Sequence, residues 1–182
     1  MKNSKGLGVD ELDSFSVKIA ANIIDEPLHH IIMLSLSSGK FPDKWKYAKI
    51  IPLFKKDDKL HKKNYRPVAI LSPLSKVLER VYYNQLYSYF NNNKLFNRNH
   101  HGYRKNRLTQ NLLLQIYDRW IQGAKNSKLN GIILIDLSAA FDLVDPSVLC
   151  KKLEIYGLDH NAIQWIKSYM ENRFQAVWIQ MQ

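Results

Sequence analysis

Apolar residues in the first forty positions recur every three or four residues. Eight of these apolar residues follow the spacing of a helix: Val17, Ala20, Ile23, Ile24, Leu28, Ile31, Ile32 and Leu36. This spacing is typical of one buried helix face, so it predicts two packed helices. Pro27 is expected in the first turn of the second helix, and Gly39 at its left-handed end. The polar residues 1–14 are predicted to be a flexible lead-in.

A β-hairpin is predicted next. Residues 47–54 (YAKIIPLF) and 64–71 (NYRPVAIL) are rich in strand-forming residues, and the polar run 55–63 separates them. Two strands around a lysine-rich tip predict a mobile, positively charged hairpin. Pro52 favours an edge strand or a bulge, because proline cannot donate to the ladder.

Further helices follow, each with a start signal. Ser72 followed by Pro73 suits an N-cap and a first helical residue, and Thr109, Asp145 and Asp159 are expected to cap three later helices.

The run 131–137 (GIILIDL) is apolar without alternation, which predicts a strand covered on both faces. Residues 174–182 are expected to begin another strand. The mixture predicts a helix-rich α/β (α+β) fold with a basic β-hairpin.

Composition narrows the class of protein. The 182 residues are 46% apolar and 24% charged, as in ordinary globular chains. No apolar run approaches the roughly 20 residues that cross a bilayer, and no secretory signal is recognisable, so no membrane association is expected. The single Cys150 rules out an intramolecular disulfide framework and a cysteine-based zinc cluster. An intracellular location is expected.

Positive charge is concentrated in two segments. The net charge is +11; residues 40–66 contribute +7 and residues 94–107 contribute +5, so the remainder carries −1. Localised positive charge favours a polyanionic partner such as nucleic acid or a nucleotide. The alternative is two solvated loops without a partner.

Asp136 is the first candidate for chemistry. It is an acid at the end of an apolar run, where an ionised carboxylate is costly unless a cation or a donor pairs with it. A magnesium ligand is one explanation. The other is a cap of the next turn through the backbone N–H of Ser138 or Ala139. The residues alone leave both open.

Residues 135–145 (IDLSAAFDLVD) resemble the first carboxylate motif of non-LTR (LINE-type) retrotransposon reverse transcriptases. Four more segments resemble the same family in the same order: residues 38–45 (SGKFPDKW), 51–59 (IPLFKKDDK), 64–72 (NYRPVAILS), and Tyr156-Gly157 followed by 165–169 (WIKSY). Intron-encoded maturases share some of these segments. The residues of segments 41–45 (FPDKW) and 140–145 (AFDLVD) favour the retrotransposon kind.

This resemblance implies a right-hand polymerase, with fingers over residues 15–128 and an incomplete palm over residues 129–182. The family's later Tyr/Phe-x-Asp-Asp segment is absent from residues 137–182. Asp57-Asp58 lies in the basic hairpin and cannot replace it. We therefore expect a truncated palm and a polypeptide that is inactive alone.

The resemblance also implies roles for single residues. Asp136 would be the catalytic ligand of the Mg²⁺ ions, and Phe141 would lie under the sugar of the incoming nucleotide. Arg66 and either Lys55 or Lys56 would hold the triphosphate, which suits the bidentate geometry of arginine.

A further segment matches the family's Gly-aromatic-Arg-Lys pattern near template and primer: Gly102, Tyr103, Arg104 and Lys105. Tyrosine beside arginine suits stacking with phosphate contact. Three neighbours depart from the pattern, namely His101, Asn106 and Leu108. The pair His100-His101 lacks other metal ligands nearby and is predicted to be loop.

The implied activity is RNA-directed DNA synthesis from an RNA template, a DNA primer and deoxynucleoside triphosphates. One alternative is a non-catalytic nucleic-acid-binding remnant that uses the basic segments. Another is an interaction protein in which Asp136 is only a cap.

Overall fold

The computed structural model describes residues 6–137 and 140–178. In chain order the helices and strands are α1 (Ser14–Ile19), α2 (Ala21–Ser38), β1 (Tyr47–Phe54), β2 (Tyr65–Ile70), α3 (Pro73–Asn92), α4 (Thr109–Lys125), α5 (Pro146–Ile155), α6 (His160–Met170) and β3 (Phe174–Val177). The fold is a mixture of helices and one small sheet, as the α/β prediction requires.

The chain divides into two compact units. The first comprises Met1–Leu86 with Asp145–Gln182, and the second comprises Tyr87–Val144. The sheet and the helices α1, α2, α5 and α6 belong to the first unit, whereas α4 belongs to the second.

The sheet confirms the predicted hairpin. Its strand order is β2-β1-β3. The strands β1 and β2 pair antiparallel, from Lys49 opposite Ile70 to Phe54 opposite Tyr65. The strand expected over residues 174–182 is observed as β3, and residues 179–182 lie outside the described residues. It pairs in parallel with β1, beginning at Phe174 opposite Tyr47.

The strand β1 is central in the sheet, but its described pairing with β3 covers only Tyr47 to Ile50, so at Pro52 the strand pairs with β2 alone, as an edge position does. Pro52 lies opposite Pro67. The N–H of Lys55 donates to the Asn64 carbonyl at 2.8 Å, so this position is a hydrogen-bonded pair. Such pairs alternate along an antiparallel ladder, so the two prolines meet at a non-hydrogen-bonded pair and remove no bond between β1 and β2.

Aromatic rings form the centre of the first unit. Trp165 is 3% exposed and stacks on Tyr82 at 3.9 Å between ring centroids. Its other ring contacts are Tyr169 at 5.6 Å and the edge of Phe41 at 5.4 Å. The Tyr82 hydroxyl donates to the Ala162 carbonyl at 3.0 Å, and burial raises the pKa of that phenol. These contacts join α3, α6 and the turn after α2.

Polar groups of α6 complete the end of α2. The Trp165 indole N–H donates to Ser35 Oγ at 2.9 Å, and that hydroxyl donates to the Lys40 carbonyl at 2.6 Å. Asn161 Nδ2 donates to the carbonyls of Leu36 and Ser37 at 3.1 and 2.7 Å. The last turn of a helix leaves carbonyls without intrahelical partners, so α6 supplies partners that the local sequence lacks.

Gly39 allows this close approach. Its φ of +64° is the left-handed conformation predicted for the end of α2. A Cβ at this position would lie 2.8 Å from Asn161 Oδ1. A larger residue would therefore have both an unfavourable backbone and a clash with α6.

Most predicted helix starts are confirmed. The Ser72 hydroxyl accepts from the Leu74 N–H at 3.2 Å, and the carboxylates of Asp145 and Asp159 cap α5 and α6. The expectation for Thr109 was wrong, since Leu108 occupies the N-cap without a side-chain bond.

The expectation that Pro27 starts a helix was also wrong. Pro27 lies inside α2, and the break between the first two helices falls at Ala20. An interior proline removes one helical hydrogen bond. The helix nevertheless continues to Ser38, and its buried residues, Ile32 and Ser35, lie in the part that follows Pro27.

The predicted buried strand over residues 131–137 was wrong. These residues form no strand, and the exposed fractions of Ile133, Leu134 and Ile135 are 88, 92 and 81%. A strand needs a neighbour to accept and donate its backbone hydrogen bonds, and none of the described strands pairs with this segment.

Among the described helices, none combines the length and the apolarity needed to cross a lipid bilayer.

The Ser35 hydroxyl gives a test of the α2–α6 contact. Ser35→Ala would leave the Trp165 N–H and the Lys40 carbonyl without their partner, so we expect the free energy of unfolding to fall by about 1–3 kcal/mol. Urea unfolding followed by tryptophan fluorescence measures this. Ser37→Ala is the matched control, because Ser37 lies on the same helix and its hydroxyl donates to the Leu34 carbonyl within its own turn. Equal stability of the two variants would contradict the assignment.

Glu79 gives a test by pH. Its Oε1 accepts from Ser75 Oγ at 2.8 Å, and burial raises the pKa of the carboxyl above its ordinary 4.5, although Ser75 and Arg173 oppose this. A raised folded-state pKa adds stability below the unfolded-state pKa, and that stability is lost as the pH rises through the folded-state value. Glu79 should therefore lower the unfolding free energy as the pH rises above 4.5. In Glu79→Gln, which cannot ionise, we expect this decrease to be smaller. Urea unfolding across that range is the measurement.

The control for Glu79 is Glu154→Gln, which neutralises an exposed acid on α5. Its unfolding free energy should follow that of the unmodified chain at each pH. A Glu79→Gln variant with the same pH profile as the unmodified chain would overturn the expectation.

Candidate nucleotide and nucleic-acid site

The tip of the hairpin is closed by its own hydrogen bonds. Besides the bond from Lys55 to Asn64, the Asn64 side chain donates to the Asp58 carbonyl at 2.7 Å. The Tyr65 hydroxyl donates to the Lys59 carbonyl at 2.9 Å. The tip, predicted over residues 55–63, is therefore an ordered turn that extends the two strands.

The acids of the tip shape this turn. Asp58 Oδ1 accepts from the Leu60 N–H at 2.9 Å, and its Oδ2 lies 3.6 Å from His61 Nε2. Asp57 has a φ of +66°, a conformation that aspartate tolerates better than most residues. The tip lysines remain exposed: Lys55, Lys56, Lys59, Lys62 and Lys63. The tip therefore presents mainly positive charge to solvent.

Arg66 lies on β2 opposite Leu53, and its side chain is exposed. Across residues 6–137 and 140–178 it forms no ion pair. Its guanidinium is therefore available to a ligand. The candidates Lys55, Lys56 and Arg66 all belong to the first compact unit.

The remaining candidates belong to the second unit, where the segment around Gly102 rests on aromatic rings. The Lys105 N–H donates to the Tyr87 hydroxyl at 3.1 Å, and its Nζ lies 5.2 Å from the centre of that ring. Arg104 donates from Nη1 to the Asn97 carbonyl at 3.1 Å and lies 4.7 Å from the Phe96 ring. Both cations are held in place by their own loop and by α3.

Tyr103 projects from the same segment. It is 85% exposed and has a φ of +55°. Its ring meets the edge of Phe141 at 5.8 Å between centroids. The structure thus brings together two residues for which the resemblance implied different ligands, a nucleic acid for Tyr103 and a nucleotide sugar for Phe141.

His101 is a feature of this loop to which the sequence assigned no role. It is 7% exposed, and neither ring nitrogen has a hydrogen-bond partner among the described residues; Arg104 Nε in the same loop is also buried without one there. Buried polar nitrogens without partners are uncommon in folded proteins. The only signal in the sequence was that His101 stands where the resembled family usually has an aromatic residue.

Asp136 is exposed and lies in the irregular segment 131–137. The alternative role as a cap involves Ser138 and Ala139, which lie outside the described residues. Asp145 is engaged elsewhere: it caps α5, accepting from the Ser147 N–H at 2.7 Å. Hydrogen bonds from Ser147 hold the pKa of that carboxyl below its ordinary value.

The described residues contain no group of three or more histidine, cysteine or acidic side chains that could hold a metal ion. Two magnesium ions close together need more than one carboxylate. Asp136 could supply one oxygen ligand to Mg²⁺, which favours oxygen donors. These residues by themselves do not fit a two-metal centre.

Known proteins resemble this chain over most of its length. A relative from Drosophila melanogaster, described as a probable RNA-directed DNA polymerase from transposon BS, is 26% identical over 177 residues, which is 93% of this chain and 19% of that protein. The RNA-directed DNA polymerases from mobile element jockey of Drosophila melanogaster and Drosophila funebris are each 26% identical, over 93% and 95% of this chain and 18% and 19% of their own lengths. The chain therefore spans about a fifth of these relatives.

A family match covers residues 54–181, from the end of β1 to beyond β3, and its description is reverse transcriptase (RNA-dependent DNA polymerase). That range includes the hairpin tip, Arg66, the segment around Gly102 and Asp136. It extends over more than half of the chain, and the chain belongs to the reverse transcriptase family, with relatives from non-LTR mobile elements.

Proposed function

We propose that this chain is the part of an RNA-directed DNA polymerase that grips the incoming deoxynucleoside triphosphate and presents the first carboxylate, Asp136. The observation that carries the proposal is the register of the hairpin, which places two cations side by side on one exposed face. Their ligand would be the triphosphate, and an RNA template and a DNA primer would be the polymer partners.

The register distinguishes between the two candidate lysines. Lys55 pairs with Asn64 one step beyond the strand, and Arg66 lies opposite Leu53. Residues 53 and 55 share a face because strand side chains alternate, so Arg66 and Lys55 are diagonal neighbours, about 7–8 Å apart. Such a pair can contact adjacent phosphates of one triphosphate. Lys56 follows where the ladder has ended.

In this proposal the fingers comprise residues 15–128 and the palm begins at residue 129. The division follows the order of the family's segments along the chain and cuts across the two compact units. Asp136 would then supply one Mg²⁺ ligand at the start of the palm, and Phe141 would follow it under the nucleotide sugar. The segment from Gly102 to Lys105 would contact template and primer.

A second candidate is nucleic-acid binding without synthesis. It is favoured by the exposure of the tip lysines together with the irregular, exposed segment that carries Asp136. Such a protein would bind RNA with a strong salt dependence, because each phosphate contact releases counterions. It would have no measurable affinity for deoxynucleoside triphosphates.

Nucleotide binding tests the proposed triphosphate contacts of Lys55 and Arg66, which we call the nucleotide grip. Isothermal titration of the purified chain with a deoxynucleoside triphosphate and Mg²⁺ should show that Arg66→Ala and Lys55→Gln each weaken binding about tenfold or more, because each removes a charge-assisted hydrogen bond. Lys56→Gln is the matched control and should change the affinity less than threefold. If Lys55→Gln and Lys56→Gln have equal effects, the assigned register of the grip is wrong.

Primer extension tests whether these 182 residues alone can synthesise DNA. With Mg²⁺, an RNA template and an annealed DNA primer, we expect no extension by the purified chain, because residues 137–182 contain no Tyr/Phe-x-Asp-Asp segment to supply further carboxylates. Gel electrophoresis of a labelled primer is the measurement. Template-dependent addition that Asp136→Ala abolishes would overturn this expectation.

A further inference from the structure

We propose that the exposed face of the sheet binds single-stranded nucleic acid through an aromatic platform, which consists of Tyr47, Phe174 and Trp178 together with Lys49. This goes beyond the proposed function, since such binding requires neither a nucleotide nor Asp136. The platform lies at the β1–β3 side of the sheet, whereas the nucleotide grip lies at the tip of the hairpin.

The pairing of β1 with β3 places these side chains on one face. Tyr47 lies opposite Phe174, and Lys49 opposite Ala176. The rings of Tyr47 and Phe174 stack at 5.0 Å between centroids with 15° between their planes. Lys49 Nζ lies 3.9 Å from the centre of the Trp178 ring.

The two faces of the sheet differ in burial. Ala48 and Ile50, which alternate with the platform residues along β1, are each only 6% exposed. Tyr47, Phe174 and Trp178 are 46, 54 and 58% exposed. One face therefore belongs to the core of the first unit, and the other presents rings to solvent.

The Phe174 ring is placed to continue a stack. Tyr47 covers the side of Phe174 that faces β1, and β3 is an edge strand of the described sheet. The other side of the ring therefore faces away from the sheet, where a nucleobase can stack. Trp178 lies roughly 13 Å further along the same strand direction, so the two rings can hold different bases.

Trp178 is held in the ladder although it follows the last residue of β3. Its N–H donates to the Ile50 carbonyl at 2.9 Å. The next donor along β1 on this side would be residue 52, which is a proline and has no N–H. This hydrogen bond fixes the backbone of Trp178 beside β1 and so positions its ring on the exposed face.

The positive charge on this face favours a nucleic acid as the ligand of the platform. Among the residues of the three strands that share this face, Lys49 and Arg66 are cationic and none is acidic. Rings interleaved with cations suit an unpaired strand, because every base can stack and its phosphates meet positive charge. In a duplex the bases are already stacked on one another, so the platform favours a single strand.

The experiment is fluorescence anisotropy of a labelled, unstructured 20-nucleotide RNA with the purified chain. Phe174→Leu and Trp178→Leu each remove a ring and keep an apolar side chain. We expect each to weaken RNA binding about fivefold or more and to leave the salt dependence unchanged. Phe15→Leu is the matched control, because Phe15 is also an exposed phenylalanine, 57% accessible, and belongs to α1 and not to a strand. It should bind RNA as the unmodified chain does.

Two further measurements separate this proposal from the others. Neither leucine variant should change deoxynucleoside triphosphate binding, which depends on Arg66 and Lys55 in the proposed grip. Lys49→Gln should lower the slope of log affinity against log salt by about 0.7, as expected for one lost phosphate contact on a single strand. Thermal unfolding of each variant shows whether the sheet remains folded.

The proposal is overturned if both leucine variants bind the RNA as tightly as Phe15→Leu does. It is overturned equally if sedimentation shows that the unmodified chain dimerises and that Phe174→Leu or Trp178→Leu abolishes the dimer. The face would then be an interface between copies of the chain.

Discussion

The burial of Trp165 against the end of α2 is the contact on which the rest of the first unit depends. The indole N–H donates to Ser35 Oγ, 130 positions away in sequence, while the ring stacks with both Tyr82 and Tyr169. The chain leaves α2 through Gly39 into β1, and it leaves α6 into β3. Docking α6 on α2 therefore brings the starts of both strands to the same place, where Phe174 bonds to the Lys46 carbonyl.

The prolines of the hairpin show how one ladder accommodates residues that cannot donate. Pro52 and Pro67 face each other where no β1–β2 hydrogen bond is formed, so the hairpin continues to its tip. On the opposite side of β1, residue 52 has no N–H to donate towards β3. The exposed face carries Arg66 towards the hairpin tip and the rings of Tyr47 and Phe174 at the other end of β1.

The candidate site residues differ in how firmly they are held. The cations Arg104 and Lys105 rest on Phe96 and Tyr87, whereas Asp136 lies in an exposed apolar segment without strand pairing. An apolar run such as 131–137 becomes a strand only where neighbours satisfy its backbone. Its carboxylate accordingly has no surrounding group of ligands within the described residues.

The sequence by itself determined the local elements and the family. Caps at Ser72, Asp145 and Asp159, the left-handed Gly39 and the hairpin around its basic tip were all readable, because they depend on neighbours a few residues away. Only the tertiary structure decided that Pro27 stays inside a helix, that β1 is central, and that residues 131–137 remain unpaired. It alone also decided which residues share the exposed face, because strand partners and buried faces are set by segments distant in the chain.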